Sequence, residues 1–202
     1  MTALTVLAFC GSLRRQSINR ALLRAAQEVA PPGLSLVEYE GLRDIPHYDA
    51  DLDGAEPPAI VDALKQRIKL ADALLFVSPE YNYSVPGVLK NAIDWASRPV
   101  ASSVMRGKPT AIMGATGGMS GTMRMQHHLR QILVGINAYT LPSPEVQIAH
   151  ATTRFDSDGR LSDESTRDLV RRQLVAFEDW ARRLLPHEAP AYRGSQAMPQ
   201  VG

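Results

Sequence analysis

Short, nearly continuous apolar runs alternate with amphipathic segments along this chain. Leu4-Thr5-Val6-Leu7-Ala8-Phe9, Ala73-Leu74-Leu75-Phe76-Val77 and Thr110-Ala111-Ile112-Met113 have the pattern of strands covered on both faces. Ile18, Leu22, Ala25, Ala26 and Val29 recur at helical spacing, as do Val88, Leu89, Ala92, Ile93 and Trp95, and again Met125, Leu129, Ile132 and Leu133. The spacing predicts strands over 5–10, 34–40, 73–78 and 109–115, with a last one inside 139–149. It predicts helices over 18–30, 58–71, 87–97, 121–136 and roughly 163–185. Strict alternation of strand and helix implies an α/β domain, a parallel sheet with helices on both faces. The pattern leaves the strand order open.

Three polar or glycine-rich loops follow three of these strands, at the sheet edge where open α/β folds bind ligands. After the first strand comes Gly11-Ser12-Leu13-Arg14-Arg15-Gln16-Ser17-Ile18-Asn19-Arg20, with a helix starting inside it. A helix N-terminus offers unpaired N–H groups and a positive dipole, which suits a phosphate. Ser12, Ser17 and Asn19 add short polar side chains, and Arg14 adds a charge-assisted contact. The blander alternative is that Ser17 or Asn19 caps the helix. After the third strand comes Pro79-Glu80-Tyr81-Asn82-Tyr83-Ser84-Val85-Pro86-Gly87, whose tyrosines and asparagine offer a flat surface and amide hydrogen bonds to a planar heterocycle. After the fourth comes Gly114-Ala115-Thr116-Gly117-Gly118-Met119-Ser120-Gly121. Its glycines permit close backbone approach to a ligand, or serve only as a tight connection.

Composition narrows the partners. The 202 residues fit one domain, and 22 basic against 21 acidic residues leave a net charge of +1. That balance carries no electrostatic footprint for nucleic acid or an anionic membrane. No apolar run reaches membrane-spanning length, and Cys10 is the single cysteine, so no internal disulfide can form. A cytoplasmic protein is expected. The loop 41–57 carries Asp44, Asp49, Asp51, Asp53 and Glu56 without EF-hand spacing and reads as solvated, so no metal is expected. Neither the phosphate-binding G-x-x-x-x-G-K-[ST] run nor a dinucleotide G-x-G-x-x-G follows the first strand, which has only Gly11. A low-molecular-weight phosphatase would need an arginine six residues after its cysteine, where Gln16 stands here.

The run G-S-x-R-x-x-S-x-N-R at 11–20 and the stretch Pro79–Trp95 together resemble the NAD(P)H-dependent FMN reductases, a flavodoxin-like family that includes chromate, quinone and azo reductases. The resemblance covers residues 4–185 and implies a flavodoxin-like three-layer sandwich with a five-stranded parallel sheet in the order 2-1-3-4-5. The domain would span 1–185, with an irregular tail over 186–202. By the same resemblance Ser12, Arg14, Ser17, Ile18 and Asn19 hold the FMN phosphate. Pro79, Glu80, Tyr81, Asn82 and Tyr83, with Thr116, Gly117 and Gly118, frame the flavin ring. The implied activity passes a hydride from NADPH or NADH through bound FMN to a small acceptor such as a quinone, azo compound, chromate or free flavin, in a ping-pong cycle. No side-chain acid or base is required, so no catalytic residue is assigned. The family also implies a homodimer or homotetramer, with the 41–57 loop or the Met119–Arg130 region at the interface. Arg124 is a candidate for a nucleotide phosphate or an interface pair. A flavodoxin-type electron carrier is the main alternative, although carriers tend to be strongly acidic and this chain is close to neutral; a flavin-binding sensor also remains open.

Overall fold

A computed structural model describes residues 2–54 and 56–185. The chain runs β1 (Leu4–Cys10), α1 (Ile18–Val29), β2 (Leu34–Glu38), α2 (Ala59–Leu70), β3 (Ala73–Val77), α3 (Gly87–Ala96), β4 (Pro109–Ala115), α4 (Met123–Gly135), β5 (Tyr139–Thr140), β6 (Val146–Ile148) and α5 (Glu164–Leu184). The strands are parallel and ordered β2-β1-β3-β4-β5, with β6 also paired to β4. Val6 lies beside Ala73 and Leu74 beside Thr110, so β1, β3 and β4 end at the same edge.

Alternation along each strand divides the core in two. Val6, Ala8, Cys10, Ala73, Leu75 and Val77 pack with α1 and α5 on one face. Leu7, Phe9, Leu74 and Phe76 pack with residues of α2, α3 and α4 on the other. The central strands therefore read as apolar throughout, because both of their faces are covered.

The expectation of five strands needs one correction. The last strand is split: β5 pairs with Pro109–Thr110 and β6 with Met113–Ala115, on the same side of β4. Pro142 and Pro144 lie between them, and proline has no N–H to give to a ladder. The second change is at α4, predicted from residue 121 but starting at 123. Gly121 (φ 56°) and Thr122 (φ 69°) are left-handed and cannot join a right-handed helix.

The loop 41–57 holds two short 3-10 turns and is fastened from α3. Asn91 donates to the Pro46 carbonyl at 2.8 Å and accepts from the Tyr48 N–H at 2.8 Å, while the Trp95 indole donates to Pro46 at 2.9 Å. Asp53 pairs with Lys65 at 3.1 Å. The tail expected to be irregular, 186–202, lies outside the described residues.

Candidate functional site

The three loops meet at the C-terminal edge of β1, β3 and β4, over a floor that tolerates no extra atoms. A Cβ on Gly11 would come within 2.2 Å of the Ser78 hydroxyl. On Gly114 it would come within 2.2 Å of the Thr122 hydroxyl and 2.5 Å of the Ser78 carbonyl. These glycines draw the three strand ends together. Gly117 and Gly118 differ, since the nearest neighbours of an added Cβ are 3.6 Å and 3.8 Å away. Internal packing does not demand glycine there, and the space in front of that backbone is open.

In the first loop Ser17 is the N-cap of α1, its hydroxyl accepting from the Arg20 N–H at 3.4 Å. The N–H groups of Ile18 and Asn19 stand in the first turn, where no preceding carbonyl can reach them. Ser12 is buried and its hydroxyl accepts from the Arg14 N–H at 3.3 Å. Arg14 and Arg15 are exposed, and neither forms an ion pair among the described residues. Asn19 points the other way. Its amide donates to the Ala115 carbonyl and accepts from the Ala115 N–H, both at 2.9 Å, tying α1 to the end of β4. Cys10 is buried and donates to the Ser12 carbonyl at 3.7 Å; burial pushes its thiol pKa up, the opposite of an activated nucleophile.

The second loop is a tight turn. Tyr81 and Ser84 exchange backbone hydrogen bonds at 3.1 and 2.9 Å, and Asn82 (φ 48°) and Tyr83 (φ 67°) between them are both left-handed. Two consecutive positive φ values define a type I′ turn. Tyrosine is strained there, which is the kind of local cost that accumulates at binding sites.

Contacts from α4 hold that turn. The Glu80 carboxylate accepts from the backbone N–H of Arg124 at 3.1 Å and of Met125 at 3.2 Å. It thus caps a helix whose own N-cap, Thr122, supplies no side-chain bond. The Arg124 guanidinium also bonds Glu80 and lies 3.7 Å from the centre of the Tyr83 ring. The Glu80 hydrogen bond raises the pKa of an already cationic group. One turn further on, His128 Nδ1 meets the Ser84 hydroxyl at 2.8 Å. Arg124, a candidate for a nucleotide phosphate or an interface pair, is thus engaged with Glu80 and Tyr83 within the chain. A sequence cannot pair residues forty-four positions apart, so the Glu80–Arg124 contact was missed there.

Glu80, Asn82, Tyr83, Thr116, Gly118, Met119, Ser120 and Arg124 line an open cleft of about 720 Å³. Its far wall is anchored from behind: the Thr116 N–H donates to Ile148, and Thr116 and Gly118 carbonyls accept from Ala151 and His150, all at 2.9 Å. Pro79 is half-buried and Tyr81 exposed, and neither lines the cleft. Met119 and Ser120 line the cleft without having been singled out, because a Met-Ser pair in a glycine run carries no chemical signature.

The residues present fit FMN. A phosphate would meet an open helix N-terminus, two hydroxyls and an unpaired guanidinium. A planar ring would meet an aromatic turn on one side and an open glycine backbone on the other. The Asn19–Ala115 hydrogen bonds tie the start of α1 to the end of β4, one residue before Thr116 of the cleft.

Comparison with known proteins points the same way. Residues 4–153 match the model of the NADPH-dependent FMN reductase family. An NAD(P)H-dependent FMN reductase of Pseudomonas aeruginosa is 49% identical over 179 residues, covering 89% of this chain and 96% of its own. A 2-hydroxy-1,4-benzoquinone reductase of a Burkholderia species is 41% identical over 180 residues, with 89% and 97% coverage. Among solved structures, FerB, a flavoenzyme NAD(P)H:(acceptor) oxidoreductase from Paracoccus denitrificans, superposes with a TM-score of 0.83 at 36% identity, covering 90% of this chain and 98% of FerB.

Proposed function

The chain belongs to the NADPH-dependent FMN reductase family, and from that premise we propose that the cleft formed by the loops after β3 and β4 and the start of α4, together with the N-terminus of α1, is where FMN, a reduced nicotinamide nucleotide and a small acceptor meet. The protein is an FMN-dependent NAD(P)H oxidoreductase acting on quinones. One observation carries the site assignment: an open, cation-flanked helix N-terminus and an aromatic cleft share one sheet edge and are bridged by Asn19.

Bound FMN supplies the hydride chemistry, and the protein binds and orients it. The phosphate is held by the Arg14 guanidinium, the Ser12 and Ser17 hydroxyls and the N–H groups of Ile18 and Asn19. Pro79, Glu80, Tyr81, Asn82 and Tyr83 present one wall of the ring site. Thr116, Gly117 and Gly118 present the other. No side chain in the cleft stands as an acid or base awaiting a proton, so the catalytic role is positional. Nucleotide and acceptor use the same open face in turn, which is a ping-pong cycle. Quinones, azo compounds, chromate and free flavin are the acceptor classes of this reading. A homodimer or homotetramer belongs to it as well, supported by exposed Met119 and Tyr83 in the cleft and exposed Met123 at the start of α4. No helix among the described residues is long and apolar enough to cross a membrane, in keeping with a cytoplasmic enzyme.

The test is the purified protein with reduced nucleotide and a small quinone, and no protein partner. Heat should release FMN, and initial rates at several quinone concentrations should give parallel double-reciprocal lines. Bound FMN with negligible direct oxidation of NADPH or NADH would instead mark an electron carrier.

A further inference from the structure

Among the described residues, one acid and one base line the cleft, Glu80 and Arg124, and they are bonded to each other. The other lining residues, Asn82, Tyr83, Thr116, Gly118, Met119 and Ser120, are uncharged. From this we infer that the Glu80–Arg124 pair determines acceptor specificity: it keeps the cleft electrically neutral and so favours uncharged quinones over anionic acceptors. The inference rests on the function proposed above and adds the charge class of its second substrate.

Three features keep Arg124 from turning to an incoming anion. Its guanidinium is bonded to Glu80, its own backbone N–H donates to the same carboxylate, and its guanidinium carbon sits 3.7 Å over the centre of the Tyr83 ring. Glu80 has only 6% of its side chain exposed. Drawing Arg124 away would leave that carboxylate buried without a counter-charge, the unfavourable half of a broken ion pair. An anionic acceptor therefore meets a cation that is already engaged. A neutral acceptor displaces no such contact and finds Tyr83, Met119 and the glycine backbone to lie against.

Glu80→Gln tests this while preserving shape, since a glutamine carbonyl can still accept from the Arg124 and Met125 N–H groups. With its partner neutralised, Arg124 adds one net positive charge at the cleft wall. The readout is the ratio of kcat/KM for 1,4-benzoquinone sulfonate to that for 1,4-benzoquinone, with FMN-loaded enzyme. Intrinsic differences between the two quinones cancel when that ratio is compared across variants. In Glu80→Gln it should rise roughly tenfold, the scale of one charge a few ångströms away in a solvent-open cleft, and the gain should shrink as salt is added. Arg124→Gln should move it the opposite way, and the double variant should restore the wild-type ratio. Calorimetric binding of benzenesulfonate to the holoenzyme, which involves no turnover, should strengthen in Glu80→Gln alone. A ratio that stays constant across the three variants, with FMN content intact, overturns the inference while leaving the enzyme assignment standing. Failure of wild-type enzyme to oxidise NAD(P)H with either quinone overturns the assignment itself.

Discussion

The loops after β1 and β3 sit side by side at the same sheet edge, yet they are built in opposite ways. The first, Gly11–Ser17, leaves donors unspent: the N–H groups of Ile18 and Asn19 precede the first helical hydrogen bond of α1, and Arg14 and Arg15 form no ion pair among the described residues. The second, Pro79–Ser84, has its turn backbone, its carboxylate and its Ser84 hydroxyl committed. Its turn closes on itself through Tyr81 and Ser84, Glu80 is bonded to Arg124 and α4, and Ser84 meets His128. One loop attracts a charged group and needs free donors. The other presents a surface and needs rigidity, even with two residues held left-handed. Specific contact to phosphate is thus separated from shape recognition of the ring.

Substitutions can break this contrast, beginning with the largest effect. Asn19 belongs to the phosphate-loop motif in sequence but behaves as a structural bond, so Asn19→Ala should strand the buried N–H and carbonyl of Ala115. At about 1–3 kcal/mol for each unsatisfied group, thermal denaturation should show a loss of several degrees. FMN and riboflavin should lose affinity together. Loss of FMN affinity alone, with unchanged melting, would make Asn19 a phosphate ligand instead.

Arg14→Ala should separate the two ligands. A charge-assisted hydrogen bond to phosphate contributes about 1.5–3 kcal/mol, or roughly ten- to two-hundredfold in affinity. FMN titrated into apoprotein should show that loss, while riboflavin, which lacks phosphate, should be nearly indifferent. Equal losses for both would mean that the first loop, like the second, is held by its own contacts.

The smallest effect belongs to the turn. Asparagine tolerates the left-handed region better than tyrosine does, so Tyr83→Asn should leave the melting temperature within about 2 °C of wild type. Riboflavin affinity should nonetheless fall several-fold, since an aromatic contact contributes about 0.5–1.5 kcal/mol beyond its buried area. A marked loss of stability with unchanged riboflavin binding would show that the Tyr83 ring serves the fold through Arg124, and not the ligand.

Much of this molecule is local and was therefore legible in the chain. The apolar runs of β1, β3 and β4 and the periodicity of α1 and α3 predicted elements within one or two residues of those observed. The three ligand loops follow from where those runs end. Strand order did not follow from the pattern and came from family resemblance. The split of the last strand was written in Pro142 and Pro144, but a run of three residues pairing on β4 is too short to stand out by periodicity.

The sequence by itself determined the alternation of elements, the glycines at the strand ends and the residue types available to hold a phosphate and a ring. Only the tertiary structure decided how those types are used. It spent the Asn19 amide on Ala115, engaged Arg124 with Glu80, and turned Asn91 and Trp95, in the same motif as the aromatic turn, toward the 45–48 loop. The physical reason is range. Periodicity and capping act over a few residues along the chain, whereas a buried hydrogen-bonding group takes whichever partner folding brings within about 3 Å.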